Sequence, residues 1–120
     1  MPASIVIVGG GVIGCELACI YQAFGSTVTV VEGQDRILPL PSVDADISVL
    51  LQREMKKKGI AVELARTVTA TTPTGTGVSV EIGASPFVEV ANPPAVNGTV
   101  ERKKRPTPPQ PRKPSHALPQ

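Results

Sequence analysis

Aromatic residues are nearly missing from this sequence: they make up 2% of its 120 residues, with two Phe, one Tyr and no Trp. A hydrophobic core must therefore be built from Val, Ile, Leu and Ala, and the supply is sufficient because 41% of the residues are apolar. The basic residues near the end of the chain are not interleaved with any aromatic side chain on which bases could stack, so we expect no nucleic-acid recognition. A chain of this length provides one domain, which excludes a large multidomain enzyme.

Cysteines and long apolar runs are equally scarce. The two cysteines, Cys15 and Cys19, lie four residues apart, whereas small secreted domains staple distant loops with widely spaced cysteines. We therefore expect no structural disulfide and a reducing, cytoplasmic environment. No apolar run reaches the ~18 residues that suggest a membrane span, and residues 1–4 carry no basic side chain of a signal peptide. Neither secretion nor membrane association is expected.

Charge and proline divide the chain into two parts. The net charge is +2, yet residues 1–100 hold six Lys/Arg against nine Asp/Glu, and residues 101–120 hold six against one. Eight of the thirteen prolines lie at or after Pro93. These counts predict a globular domain over 1–90 and a basic, proline-rich tail over 91–120, which has too few large apolar residues to fold and should be disordered.

Two short patterns in the tail leave several functions open. Residues 101–105 form a basic run, and residues 105–113 contain PxxP spacing flanked by positive charge. SH3-type docking, nuclear targeting and binding of an anionic polymer all fit these patterns. Both patterns are common by chance, so a solvated linker or the end of a non-native reading frame is the preferred interpretation.

The first 25 residues predict a strand, a glycine turn and a helix. Residues 5–8 form a continuous β-branched run, which is typical of a central parallel strand covered on both faces. From Val12 the apolar period becomes helical, and Gly25 follows as a stop. The predicted inward stripe of this helix is Ile13, Leu17, Ile20 and Phe24. The opposite face is poor in charge and is predicted to suit a partner surface; it carries Cys15, Ala18, Cys19 and Gln22.

The rest of the domain predicts alternating elements. Residues 28–31 form the next strand, residues 33–42 a surface loop, and residues 60–64 a third strand after a second helix. That helix has Ser42, Asp44 and Asp46 at its start, Lys56, Lys57 and Lys58 at its end, and apolar positions at Ile47, Leu50, Leu51 and Met55. Residues 68–71 and 78–82 predict an antiparallel hairpin, with residues 87–90 as an edge meander strand at best.

The chemistry is concentrated in the glycine turn. The segment from Gly9 to Gly14 matches G-x-G-x-x-G, in which Gly9 permits a tight turn, Gly11 admits a pyrophosphate and Gly14 lets helix and strand pack closely. Glu32 ends the second strand. A carboxylate at this position accepts hydrogen bonds from the adenine-ribose hydroxyls and repels a 2′-phosphate. The predicted fold is therefore α/β, with a Rossmann-like βαβαβ parallel sheet. Glu32 predicts that the site prefers NAD, and Arg36 in the following loop leaves NADP as an alternative cofactor.

The order of these segments resembles the NAD-binding domain of the pyridine nucleotide-disulfide oxidoreductases, within which dihydrolipoyl dehydrogenases are most similar. The matching stretches are 4–18, 24–32, 35–39, 44–48 and 58–60, and the likeness continues to about Ile82. The resemblance implies a segment of a longer, homodimeric enzyme that passes electrons from a dihydrolipoyl dithiol through FAD to NAD. Its partners would be the dinucleotide and the flavin and dimerisation domains, which this chain lacks, so FAD is not bound by this segment and the isolated chain should be inactive.

Site residues follow from the resemblance position by position. Glu32 would bind the ribose, Glu16 in the first helical turn would lie near the nicotinamide amide, and Val68 would lie beside the adenine. Glu16 could instead only complement the helix dipole, and Val68 could be a plain strand residue. The residues expected around the pyrophosphate are Gly9, Gly10, Gly11, Val12, Ile13, Gly14, Cys15 and Glu16.

One feature of the sequence departs from the family. Its C-x4-C redox dithiol is missing, and Cys15 and Cys19 are expected to pack rather than replace it. We therefore assign no catalytic residue and no metal ligand to this chain. A second interpretation remains open, in which the chain is a stand-alone, non-catalytic NAD-binding module with a basic, proline-rich arm that contacts a partner.

Overall fold

The computed structural model describes residues 1–88 and 98–99. Strands and helices alternate first, and antiparallel strands follow, as the sequence predicts. The elements are β1 (Ser4–Val8), α1 (Val12–Ala23), β2 (Thr27–Val31), α2 (Ala45–Lys57), β3 (Ala61–Glu63), β4 (Arg66–Thr74), β5 (Gly77–Ala84) and β6 (Gly98–Thr99). The predicted α/β class, with a parallel sheet followed by an antiparallel hairpin, is confirmed. Neither helix in this described part is long and apolar enough to span a bilayer.

The first sheet is parallel throughout, in the order β1-β2-β3. Val30 in β2 pairs with Ile7 of β1 and with Val62 of β3, so β2 is the middle strand. The prediction that the 5–8 run is central is wrong for the described residues, because β1 has a partner on one side only. Its last residue, Val8, is 66% exposed, so the apolar run is not covered on both faces.

One face of this sheet carries the core. Val28 and Val30 point to the same side because side chains alternate along a strand, and both are buried. They belong to one apolar cluster with Cys15 and Ala18 of α1 and Met55 of α2. Both helices therefore pack on the same face of the sheet, and the other face is turned toward the antiparallel strands.

The predicted inward stripe of α1 is wrong, because the structure turns it to solvent. Ile13 is 73% exposed and Phe24 66% exposed, whereas Ala18, on the face predicted to suit a partner, is fully buried. The physical reason is the close approach of the start of α1 to the end of β1, where only small side chains have room, whereas Tyr21 near the end of the helix still packs against the core. A Cβ at Gly14 would collide with the carbonyl oxygen of Gly9, so even a methyl group is excluded at the start of this contact.

Helix α2 follows its prediction in part. Met55 is buried and Leu51 packs against the core, but Ile47 and Leu50 are 51% and 46% exposed. The remaining buried position is taken by Ser48, whose hydroxyl accepts a hydrogen bond at 3.1 Å from a guanidinium in the loop before the helix. A polar residue can therefore occupy this site because its hydrogen bond is satisfied.

The second sheet is antiparallel, in the order β4-β5-β6. Strands β4 and β5 form the predicted hairpin, longer than predicted and with an irregular register between Val68 and Ala70. The edge strand predicted at 87–90 is absent where it is described, because Phe87 and Val88 lie in a turn; Glu89 and Val90 lie outside the described residues. Gly98 and Thr99 pair instead with β5. The rest of the predicted tail lies outside the described residues, so the boundary near residue 90 stays a prediction.

Candidate functional site

The glycine turn joins the carboxyl end of β1 to the start of α1. Gly9 has φ +107°, a backbone conformation that favours glycine, and its N–H donates to the carbonyl of Val31 at 2.8 Å. Gly11 is the N-cap of α1 and supplies no side chain to cap it. The first N–H groups of an α-helix have no partner within the helix, and the helix dipole is positive there. The turn therefore presents backbone donors suited to an anion.

Glu32 holds the other side of the turn. Its side chain is buried, with Oε2 accepting from the N–H of Gly10 at 2.6 Å and Oε1 accepting from the N–H of Gln34 at 2.8 Å. A carboxylate has about four lone-pair directions, so each oxygen can still accept from a ligand hydroxyl. The predicted ribose carboxylate thus lies directly against the predicted pyrophosphate turn, and it also fixes the conformation of that turn.

The loop after Glu32 closes over the turn, which sequence reasoning missed. Leu38, with φ +49°, donates its N–H to the carbonyl of Gly10 at 2.7 Å, and Ile37 is fully buried. Arg36 secures the loop by donating to Val43 O at 2.9 Å, Leu40 O at 3.1 Å and Ser48 Oγ at 3.1 Å. No local sequence pattern predicts these contacts, because they depend on where α2 packs. The Arg36 guanidinium therefore already has hydrogen-bond acceptors in the loop and at the start of α2.

Glu16 and Val68 lie on opposite faces of the first sheet. Helix α1 begins at Val12, so Glu16 is its fifth residue and not in the first turn as predicted; its side chain is exposed beside an apolar groove of about 440 Å³ between α1 and α2. Val68 lines a cleft of about 470 Å³ between β1 and the hairpin. The start of β4, the strand that contains Val68, is hydrogen-bonded to the backbone of Glu32: the Arg66 N–H donates to Glu32 O at 3.0 Å.

Cys15 is part of the core beneath the turn. Its thiol is buried and donates to the carbonyl of Gly10 at 3.4 Å. Burial raises the pKa of the Cys15 thiol, and the neighbouring Cys19 and Glu32 raise it further. A protonated, buried thiol is a poor nucleophile. Both cysteines are free, and Cys19 is half-buried.

Gly11 lies beside open space at the start of α1. Gly11 has an ordinary φ of −73°, and a Cβ built on it would meet no protein atom within 4 Å. Nothing in the fold therefore requires glycine at this position. A ligand that approaches the backbone closely would require it, which is the role of the second glycine in a dinucleotide-binding turn.

The fold and this turn define the chain as a Rossmann-like α/β domain. The sequence pattern of the pyridine nucleotide-disulphide oxidoreductase family matches residues 4–84. The chain belongs to that family. Its predicted resemblance is thereby confirmed.

The proteins that this chain resembles are much longer than the chain itself. Dihydrolipoyl dehydrogenase of Bacillus subtilis (strain 168) is 47% identical over 62 residues, which are 52% of this chain and 13% of that protein. A water-forming NADH oxidase from Lactobacillus brevis, solved with NADH bound, has a TM-score of 0.62 at 30% identity, covering 67% of this chain and 18% of that one. A variant of this oxidase engineered for NADPH, and solved with it, has a TM-score of 0.62 at 28% identity, covering 67% and 18%. The chain thus spans a small part of the proteins it matches.

Proposed function

We propose that this chain is the NAD(H)-binding segment of a FAD-dependent disulfide oxidoreductase of the dihydrolipoyl dehydrogenase type. The observation that carries the proposal is the glycine turn, in which Gly11 faces open space and Glu32 accepts a hydrogen bond from the N–H of Gly10, just before the start of α1. The pyrophosphate binds at the N-terminus of α1, and the Glu32 carboxylate accepts from the ribose diol. Membership in the oxidoreductase family supports this assignment.

The charges beside the ribose favour NAD over NADP. Glu32 repels a 2′-phosphate, and Arg36, the cation that could neutralise one, already donates to two carbonyls in its own loop and to Ser48 of α2. Releasing Arg36 for a phosphate would leave those acceptors without their donor. The engineered NADPH-binding oxidase supports the same argument, because its substitutions remove an aspartate and introduce two arginines.

Hydride transfer needs parts that this segment does not supply. FAD, held by the remainder of the enzyme, would supply the redox chemistry between a dihydrolipoyl dithiol and NAD. The contribution of this chain is to hold the dinucleotide, with Glu16 on α1 near the nicotinamide amide. Cys15 keeps its proton in the core and takes no part in the redox chemistry.

The exposed stripe of α1 is where the remaining domains dock. Ile13, Leu17, Ile20 and Phe24 form this stripe, which begins at the dinucleotide turn. A flavin that exchanges a hydride with the nicotinamide must approach from that end of the helix. Docking there would cover the stripe, and the complete enzyme is a homodimer in this proposal.

Calorimetry on the full 120-residue chain tests the cofactor choice. NADH should bind more tightly than NADPH by about 5- to 150-fold, the factor equivalent to roughly 1–3 kcal/mol for an unfavourable buried polar contact. Glu32→Gln should reduce this preference, because glutamine keeps an acceptor for Gly10 but removes the charge. Asp35→Asn, an exposed acid in the same loop, is the matched control and should keep the preference. Equal wild-type affinity for both cofactors would contradict the assignment.

An activity assay separates this proposal from a self-sufficient catalyst. The purified chain should show no flavin absorbance and should not oxidise NADH with lipoamide or a dye acceptor, because it supplies neither flavin nor dithiol. Turnover by the purified chain alone would contradict the proposal that other domains supply the flavin and the dithiol. Dinucleotide binding that is unaffected by a flavin-containing partner domain would favour the stand-alone module instead.

A further inference from the structure

An exposed aromatic ring lies beside the proposed ribose site. Phe87 is 70% exposed in the turn after β5. Two hydrogen bonds fix this turn: Ser85 N–H donates to Ala65 O at 3.0 Å, and Phe87 N–H donates to Ser85 Oγ at 3.2 Å. The Ser85 side chain is buried, so the turn is anchored while the phenyl ring remains accessible.

The ring reaches the residue that follows the ribose carboxylate. A Cβ built on Gly33 would lie 3.1 Å from Cδ2 of Phe87 and 3.3 Å from Ser85 Oγ. Gly33 has no side chain, so the ring lies close to the backbone there and its remaining surface faces solvent. Gly33 follows Glu32 directly in the chain, and consecutive Cα atoms are about 3.8 Å apart, so the ring lies beside the segment that carries the proposed ribose carboxylate.

We propose that Phe87 is the stacking platform for the adenine of the bound dinucleotide. The inference rests on the proposed function, since it requires a ribose at Glu32. Adenine is attached directly to that ribose, so it must lie close to the carboxylate. Aromatic side chains stack on bases through the π-face that every base presents, and a ring already held by an anchored turn loses little freedom on binding.

The position is not explained by packing. A ring that is 70% exposed contributes little to the core. The second phenylalanine provides a comparison: Phe24 is 66% exposed but lies at the far end of α1 from the glycine turn. The two phenylalanines thus have similar exposure and different positions relative to the proposed site.

Tryptophan fluorescence provides a direct test, because the chain contains no tryptophan. We would titrate the full-length Phe87→Trp variant with ADP-ribose and with nicotinamide mononucleotide. Stacking predicts that ADP-ribose, which contains adenine, quenches the emission and that nicotinamide mononucleotide does not. Phe24→Trp is the matched control, and its emission should respond to neither ligand.

Affinity provides the second readout. Phe87→Ala should weaken NADH binding by about fivefold to tenfold, consistent with the loss of one exposed stacking contact, and Phe87→Tyr should restore it. Binding of nicotinamide mononucleotide should not change, which separates loss of stacking from loss of fold. Circular dichroism should be the same for all variants.

The outcomes separate this inference from the proposed function. If the wild-type chain binds no dinucleotide, both are wrong. If it binds NADH and Phe87→Ala binds it equally well, the NAD(H) assignment stands and the stacking role of Phe87 is rejected. Quenching by nicotinamide mononucleotide alone would place the nicotinamide at this ring and would also overturn the inference.

Discussion

The two faces of helix α1 have opposite compositions. The face toward the sheet carries small residues, Cys15 and Ala18, and is buried, whereas the face toward solvent carries large apolar residues such as Ile13 and Phe24. The fold explains the first face, since α1 lies too close to the sheet for larger side chains. Nothing in the described residues explains the second. A large apolar surface that the domain does not bury is typical of a contact with another protein surface.

The same contrast appears in the glycine turn. Gly14 is required by the fold, because a Cβ there would collide with a backbone carbonyl. Gly11 is not required by the fold, because a Cβ there would meet no protein atom. A glycine that the packing requires and a glycine that the packing does not require thus lie three positions apart. The contrast predicts which substitutions affect stability and which affect binding.

The largest effect is expected at Gly14. Gly14→Ala should destabilise the chain by about 3 kcal/mol, since the collision involves rigid backbone and α1 must move away from β1. Gly11→Ala should leave stability nearly unchanged but weaken NADH binding by at least about tenfold, equivalent to 1.4 kcal/mol. Urea unfolding and calorimetry measure the two quantities. Equal destabilisation by both variants would show that the two glycines have the same role.

The next largest effect is expected at the buried face of α1. Ala18→Leu should cost about 1–3 kcal/mol, because the site is fully buried and inserting three carbons overpacks it. Ala23→Leu is the matched control in the same helix, where the residue is exposed and the change should stay within about 0.5 kcal/mol. Thermal unfolding of both variants would check the difference. A tolerated Ala18→Leu would mean that α1 does not pack as closely as described.

The order of elements could be predicted because its signals are local. The β-branched run at 5–8, the glycines after it and the lysines before Gly59 each mark the start or end of an element. The inward face of α1 could not be predicted, because an apolar stripe of helical period shows where one face lies but not which face meets the sheet. The distance to the sheet decides that, and it depends on Gly14 contacting Gly9.

The candidate site was predictable to a similar extent. The glycine motif and Glu32 are recognisable from their spacing, and the structure brings them together through the bond from Gly10 to the carboxylate. The contacts of Arg36 and the position of Phe87 could not be predicted. Both depend on contacts between segments far apart in the chain. The sequence around Phe87 even predicts an edge strand rather than a turn.

A third prediction concerns the two cysteines. In the folded chain at pH 8, iodoacetamide should modify Cys19 at least about tenfold faster than Cys15, which is buried and whose pKa is raised. The folded chain holds the Cys15 proton more tightly than the unfolded chain, so this contribution to stability is lost as pH rises above the ordinary thiol pKa. Peptide mass mapping gives both rates. Urea is the control, and equal rates before unfolding would contradict a buried Cys15.

The smallest effect on stability is expected at the exposed stripe of α1. Leu17 and Ile20 are 40% and 49% exposed, and glutamine forms helices nearly as well as either. The double change Leu17→Gln, Ile20→Gln should therefore alter the unfolding free energy by at most about 0.5 kcal/mol, whereas Ala18→Gln on the buried face should cost more. Sedimentation of the same variants should show less self-association once the stripe is polar. A loss of more than about 2 kcal/mol in the double variant would show that the stripe is part of this domain's own core, and the case for a covering partner would fail.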